Sequence, residues 1–314
     1  MRASVVVPAR NARATLGRTL EALAAQDAAF EFEVIVVDDA SHDGTPDMAA
    51  AAGGPVRLVA LTDAPRGPAA VRNLGVAEAR GELIAFCDAD CYPSRGWLAA
   101  GVRALERADL VQGKVLPEPG VRLGPFDRSL WVTGEAGLWE TANLFVTRSM
   151  FERVGGFEEC LDPVAGKALG EDVWFGWRAK RLGARSVFCD EALVHHAVFS
   201  RGAREYIAER RRCRHFPELA ALMPELRESF LYRGWFLNRR SAAFDLALLG
   251  AAGAVGLRRG WPLLAARPYL RLVRDRARPN GRFHAGVAAA DVAADVVTAG
   301  ALLRGSLAAR APVL

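Results

Sequence analysis

The sequence predicts an α/β fold, a mostly parallel sheet flanked by helices, with a helical region appended behind it. Three observations predict it. Apolar runs such as Val34-Ile35-Val36-Val37 and Leu83-Ile84-Ala85-Phe86 are hydrophobic at every position, which marks strands covered on both faces. Helix-period stretches lie between consecutive runs, and strand alternating with helix is the pattern of a parallel sheet. From residue 201 onward the pattern turns helical and rich in arginine.

The elements follow in order. Ala3-Ser4-Val5-Val6-Val7-Pro8 is a β-branched strand closed by proline, and residues 11–25 read as a helix with Leu16, Leu20 and Leu23 on one face. Residues 33–39 form a second buried strand ending in Asp38-Asp39. Turn chemistry at Ser41-His42-Asp43-Gly44-Thr45 precedes a helix through Ala52. A third strand covers 56–61, a helix opened by Gly67-Pro68 runs over 67–79, and a fourth strand covers 83–87. That strand runs into Asp88-Ala89-Asp90 and stops at Pro93. In open α/β sheets the carboxyl ends of strands are where ligands bind. Side chains one residue apart on extended chain point the same way. Two such carboxylates repel unless a cation joins them, and oxygen ligands suit magnesium or manganese, which can hold a diphosphate. The alternative is an acidic loop after a strand.

Length and charge set further bounds. The chain has 314 residues, enough for one large domain and an appendage. Residues 1–200 hold 21 Lys and Arg against 27 Asp and Glu, whereas residues 201–314 hold 20, all arginine, against 9. We therefore expect an acidic catalytic domain over 1–200 and a basic helical region over 201–314 that faces something anionic. The acidic first domain argues against a nucleic-acid channel there. Five cysteines, Cys87, Cys91, Cys160, Cys189 and Cys213, form no C-x-x-C pair and read as reduced thiols of a cytosolic protein. The chain opens directly on a strand pattern, so no signal peptide is expected. No G-x-G-x-x-G follows the first strand and no G-x-x-x-x-G-K-[ST] occurs, which disfavours a dinucleotide-dependent dehydrogenase and a P-loop NTPase.

Four blocks carry a resemblance: Val5-Val6-Val7-Pro8-Ala9-Arg10-Asn11, Val36-Val37-Asp38-Asp39-Ala40-Ser41-His42-Asp43-Gly44-Thr45, Ala70-Val71-Arg72-Asn73-Leu74-Gly75, and Phe86-Cys87-Asp88-Ala89-Asp90. In this order and spacing they resemble the family 2 glycosyltransferases of the GT-A fold. The likeness continues through Ala142-Asn143-Leu144-Phe145-Val146-Thr147-Arg148, Val154-Gly155-Gly156-Phe157 and Gly170-Glu171-Asp172-Val173-Trp174-Phe175, and covers residues 3–200. It implies a Rossmann-like GT-A sheet and an inverting, metal-dependent transfer of one sugar from a nucleotide-sugar donor, UDP-linked, to a hydroxyl of a glycan, lipid-linked or small-molecule acceptor. Cell-envelope polysaccharide biosynthesis is the setting it suggests.

The resemblance also implies roles. Asp39 reads the base, with Asp38 as a base or ribose contact or simply a turn cap. Pro8, Ala9 and Arg10 line the same pocket, Arg72 meets base or phosphate, and Asn73 orients a loop. Asp90 takes the divalent metal, Mn or Mg, and Asp88 the ribose or the metal through water. Asp172 becomes the general base; the plainer reading of Glu171-Asp172 is a helix-capping acid pair. In Val194-His195-His196 one histidine completes the metal site. Spacing favours His196, His195 is the runner-up, and alternation along a strand forbids both. The acceptor floor is expected over 131–143, with Trp139, Glu140, Glu171 and Trp174 as contacts. No Gln-x-x-Arg-Trp block follows the base, which argues for transfer of a single sugar; Arg211-Arg212-Cys213-Arg214 is the nearest stretch.

In the arginine-rich region a basic helix is expected over 203–215 and apolar helices over 241–257 and 285–303, the last broken by Asp291 and Asp295. A spanning helix needs about 20 apolar residues. The first is short and the second carries two acids, so helices packed together or lying on an anionic membrane face are favoured over a hairpin through the bilayer or a dimer interface. The expected location is the cytoplasm, peripheral at the inner face of the cell membrane. The competing functions are a non-catalytic nucleotide-sugar-binding or nucleic-acid-binding protein and a nucleotidyltransferase. The last would want a glycine-, arginine- and lysine-rich loop after the first strand, which residues 8–13 lack.

Overall fold

Val5, Val6 and Val7 are all at 0% exposure, so the strand that carries them is covered on both faces. The computed structural model describes residues 1–159, 170–278 and 281–314, and the chain divides into two units. The first comprises Met1–Arg122 and Ser129–Phe199; the second comprises Leu123–Arg128 and Ser200–Leu314. The short excursion at Leu123–Arg128 was not anticipated, because six residues carry too little periodicity to announce a change of unit.

The first unit runs β1 (Ala3–Ala9), α1 (Arg13–Ala24), β2 (Phe32–Asp39), α2 (Thr45–Ala51), β3 (Val56–Leu61), α3 (Pro68–Glu78), β4 (Leu83–Cys87), β5 (Cys91–Pro93), α4 (Trp97–Leu105), β6 (Leu110–Pro117), β7 (Asn143–Thr147), α5 (Arg148–Val154), α6 (Glu171–Arg181) and β8 (Ser186–His196). Among the described residues these strands form one sheet of order β3-β2-β1-β4-β7-β6-β8-β5. β3, β2, β1 and β4 are parallel; β7 runs against β4 and β6; β8 is parallel to β6 and antiparallel to β5. The fold is thus α/β with a mixed, mostly parallel sheet.

Each face of the sheet has its own core, and the pleat sorts residues between them. Val5, Val7, Val34, Val36 and Ala85 pack with Leu16, Leu20 and Leu23 of α1 and Leu98 of α4. Val6, Ile35, Val37, Ile84 and Phe86 pack with Val71 of α3, Met150 of α5 and Phe175 of α6. The helix expected from residue 11 starts at Arg13 because Asn11 takes a left-handed φ of 48° and its side chain accepts from the His42 amide at 3.0 Å. Cys87, Cys91, Cys189 and Cys213 are free and buried; Cys160 lies outside the described residues.

The second unit contains α7 (Ala203–Glu209), α8 (Phe216–Leu222), α9 (Leu226–Ser229), α10 (Arg239–Leu257), α11 (Arg267–Arg276) and α12 (Ala285–Ala309), with 3-10 turns at Arg210–His215 and Trp261–Ala266. The single basic helix expected over 203–215 is therefore two pieces, and the tightened turn brings Cys213 into a small core with Leu231, Leu237 and Leu302. α12 is one uninterrupted helix despite its acids, because both are partnered inside the unit. Asp291, at 0% exposure, accepts from Tyr206 Oη at 3.1 Å and Arg276 Nε at 2.9 Å. Asp295 accepts from Arg240 Nη2 at 2.7 Å and Tyr269 Oη at 2.8 Å. Buried carboxylates partnered in this way hold α7, α10, α11 and α12 together.

Gly81 sits where β1 and the approach to β4 nearly touch. A Cβ there would lie 2.6 Å from the backbone at Ala3 and Ser4, atoms that cannot yield. Gly81→Ala is expected to destabilise the first unit by about 1–3 kcal/mol, seen as a fall of several degrees in Tm. Gly134→Ala, whose Cβ would meet nothing, should stay within about 0.5 kcal/mol of the parent.

Candidate active site

Asp88 and Asp90 leave the end of β4, which β1 joins to β2 in the sheet. Strand order reverses its direction of growth at β1, and such a point opens a crevice beyond the strand ends. Pro8 and Ala9 close β1 beside Val37 and Asp38 of β2, and Arg10 is exposed just past them. Asp39 is 4% exposed, and its carboxylate accepts from the amides of Arg66 at 2.7 Å and Gly67 at 3.1 Å, which fixes the loop between β3 and α3. Asp38 caps its turn through Ser41 N at 3.0 Å, while its Oδ1 is buried with no hydrogen-bond partner among the described residues. Asn73 brackets Phe157, accepting from its amide at 2.8 Å and donating to its carbonyl at 2.9 Å, so it orients a loop.

Arg72 corrects its expected role. The guanidinium is 5% exposed and held by two carboxylates, with Nη2 3.0 Å from Asp88 Oδ1 and Nη1 3.0 Å from Glu171 Oε1. It was expected on a base or phosphate, but its fork is already occupied, and it joins the end of β4 to the start of α6. Burial works against its charge; Asp88, Glu171 and Asp172 outweigh burial, and its pKa is raised. Glu171, expected at the acceptor, is likewise turned inward to Arg72 at 7% exposure.

Asp172 follows on the first turn of α6, where its Oδ1 accepts from Val173 N at 2.8 Å. Burial pushes its carboxyl well above the usual range. Glu171 and Glu140 push the same way, and Arg72 opposes them. Burial also raises Glu140. Trp139 is a correction: at 1% exposure its ring is core, so no sugar can stack on its face. It packs edge-on against Trp177 with centroids 6.4 Å apart and so closely on α6 that a Cβ at Gly176 would lie 2.0 Å from the indole. The exposed indole of the expected acceptor floor is that of Trp131. Trp174 is half-buried with Arg178 and Arg181 over its ring.

The histidine question has a geometric answer. In the β5–β8 ladder Cys91 lies opposite His196 and Tyr92 opposite His195, so the two imidazoles leave opposite faces. His196 Nε2 is 3.6 Å from Asp90 Oδ2, and its Nδ1 lies 2.7 Å from the Ala197 carbonyl. A hydrogen bond from Nδ1 to that carbonyl leaves the Nε2 lone pair toward Asp90, as metal-binding histidines are held. Ligand atoms of Asp90, Cys91 and His196 all lie within 4.8 Å of one another. The Cys91 thiol is buried and hydrogen-bonded with Cys87, which raises its pKa; its Sγ lies 3.8 Å from Asp90 Oδ1, and soft sulfur is the donor least suited to a hard cation. What remains is a carboxylate and an imidazole, a donor set that fits manganese or magnesium.

Residues 4–157 match the family described as Glycosyl transferase family 2. Those residues form a Glycosyl transferase family 2 domain. It is 30% identical to the glycosyltransferase AglE of Haloferax volcanii over 207 residues, 62% of this chain and 66% of AglE. The chain thus matches a little under two thirds of that relative's length. Its fold is shared with the mannosyltransferase PcManGT of Pyrobaculum calidifontis, solved with GDP-Man and Mn2+, at a TM-score of 0.58 and 22% identity over 98% of this chain and 87% of that one. It is shared also with residues 1–349 of Staphylococcus aureus TarS, solved with UDP-GlcNAc, at a TM-score of 0.52 and 17% identity over 98% of this chain and 92% of that one.

One buried residue supporting this corner stands in a motif block but was given no role. Asn143, at 0% exposure in β7, donates to the carbonyls of Lys114 at 2.8 Å and Ala192 at 2.7 Å and accepts from Trp97 Nε1 at 2.8 Å. It fills the place where the β6–β8 register jumps, from Gly113 opposite Cys189 to Lys114 opposite Leu193. The available signal was a polar amide in an otherwise apolar strand.

Arg72→Ala leaves Asp88 and Glu171 facing each other unneutralised. It is expected to cost about 3–5 kcal/mol in a denaturant melt, and Arg72→Lys, which keeps the charge without the fork, should recover part of that loss. Equal stability of all three proteins would show that the bridge is not made.

Proposed function

We propose that this chain transfers one glycosyl group from a nucleotide-sugar, with UDP as the nucleotide, to a hydroxyl acceptor, inverting the anomeric configuration. One observation supports it above the others. Arg72 bonds the aspartate at the end of β4 and the glutamate that precedes Asp172, so two of the three acidic pairs read from the sequence meet at one corner. In this reading Asp172 takes the proton of the acceptor hydroxyl while that oxygen bonds to the anomeric carbon. The bond from that carbon to the diphosphate oxygen breaks from the opposite side, and the electron pair leaves with the nucleoside diphosphate. Asp39, Asp38 and the end of β1 face the base and ribose, and Asp88, held by Arg72 at 3.0 Å, stands at the ribose. Asp90 and His196 would hold a divalent cation, Mn or Mg, which when bound supplies positive charge to the departing diphosphate. Glu140 and Trp131 are the side chains assigned to the acceptor. PcManGT carries GDP-Man and TarS UDP-GlcNAc on this fold, so the donor panel must include both bases.

A non-catalytic binding protein would gain nothing from a desolvated carboxylate at a helix start, and the acidic first unit is poorly suited to nucleic acid. The Asp172 reading makes a pH prediction with a definite sign. A base must be ionised, so transfer should fall as pH drops through the raised pKa of Asp172, above the ordinary carboxylate range. The same burial disfavours the folded state when Asp172 is ionised, and that penalty lifts as pH falls through its folded pKa. Asp172→Asn should therefore raise Tm at neutral pH, lower the transfer rate by about 10²–10⁴-fold and leave nucleotide-sugar affinity within a few fold, measured by calorimetry with manganese. An unchanged rate would overturn the assignment of the base.

A further inference from the structure

Of the residues of α10 only Ala243, Phe244 and Gly250 are buried. Leu249 is 70% exposed, Val255 79% and Leu257 58%, an unusual display of aliphatic surface on one helix. The helix does not end in a loose tail. A Cβ at Gly250 would sit 2.6 Å from the Pro262 carbonyl, so the 3-10 turn at Trp261–Ala266 folds back closely against α10 and leads into α11. The turn is apolar and open, with Trp261 at 67% exposure and Leu263 and Leu264 at 52%. Around this edge lie exposed Arg258 and Arg259 before the turn and Arg267 and Arg271 after it. Between α10 and α11 runs a cleft of about 970 Å3, walled by Leu246, Leu249 and Leu272, with Arg233, Arg239 and Arg271 at its edge and one acid, Asp245, in its lining.

We propose that the hairpin of α10, the Trp261 turn and α11 lies in the surface of an anionic phospholipid bilayer, without crossing it. The apolar edge enters the upper acyl region, the arginines meet lipid phosphates, and Trp261 sits at the interface, where indoles concentrate. α10 and α12 are both long and apolar enough to span a membrane by length and composition. Crossing by α12 would carry Asp291 and Asp295 with their arginines into hydrocarbon, and α10 meets two arginines and turns back at once. A second copy of the chain fits the same face poorly, because arginines would meet arginines in a region holding 20 of them against 9 acids. The inference rests on the second unit alone and does not depend on the donor or the base.

The test is co-sedimentation of the full chain with phosphatidylcholine vesicles, with and without phosphatidylglycerol, at low and high salt. The expected result is binding to the anionic vesicles that high salt reverses. Each arginine replaced by glutamine among Arg258, Arg259 and Arg267 should weaken partitioning about fivefold. The triple variant Trp261→Ser, Leu263→Ser, Leu264→Ser should weaken it at least about tenfold. Circular dichroism and nucleotide-sugar affinity, measured on the same variants, show that both units remain folded. No binding by the parent chain, or binding that the variants retain in full, overturns the proposal. So does a stable dimer that the same substitutions dissociate.

Discussion

Asp88, Asp90, Glu171 and Asp172 gather at one corner of the first unit, two of them from the end of a strand and two from the start of a helix. Carboxylates brought together in partial burial repel, and each loses hydration as it is enclosed. Arg72 is the counterweight. One buried guanidinium reaches 3.0 Å to each of two carboxylates, Asp88 and Glu171, and offsets their charge. The two acids it does not bond take on different characters: Asp90 stands beside an imidazole, and Asp172 is left with a raised proton affinity. A set of like charges is thereby sorted into distinct tasks by the placing of one cation.

The rest of the corner is held by hydrogen bonds between neighbouring segments. Asn143 spends its amide on two carbonyls of neighbouring strands, Asn73 pins Phe157, and Asp39 ties down the loop that precedes α3. Trp139 fills the space beneath α6 with no room for even a methyl at Gly176. Rigid support of this kind fixes the angles at which the candidate carboxylates are presented.

Much of this was legible in the chain, for reasons that differ by element. The parallel strands announced themselves because both their faces are covered, leaving runs with no polar interruption, and β3 and β4 fall on the predicted residues. Asp88, Asp90, Asp172 and His196 were readable as candidates because strand ends and helix starts are where such groups can act. The partners of Arg72 were not readable. They lie 16 and 99 residues away, and only the folded sheet brings them within reach. Trp139 misled because an aromatic in a glycine-rich loop looks like a binding face, whereas its left-handed φ of 56° turns it into the core. Asp291 and Asp295 looked like breaks in an apolar helix because their arginine and tyrosine partners belong to other helices.

The jump in register between β6 and β8 reaches further than the strand that contains it. Side chains on extended backbone switch faces with every residue, so the number of residues between Cys189 and Leu193 decides which imidazole arrives beside Asp90. Loop length there works as a selector. Adding or removing one residue, without altering either histidine, would present His195 to the acidic corner and turn His196 away. In this chain, then, counting residues across that short stretch says more about which imidazole lies beside Asp90 than the identity of the residues that fill it.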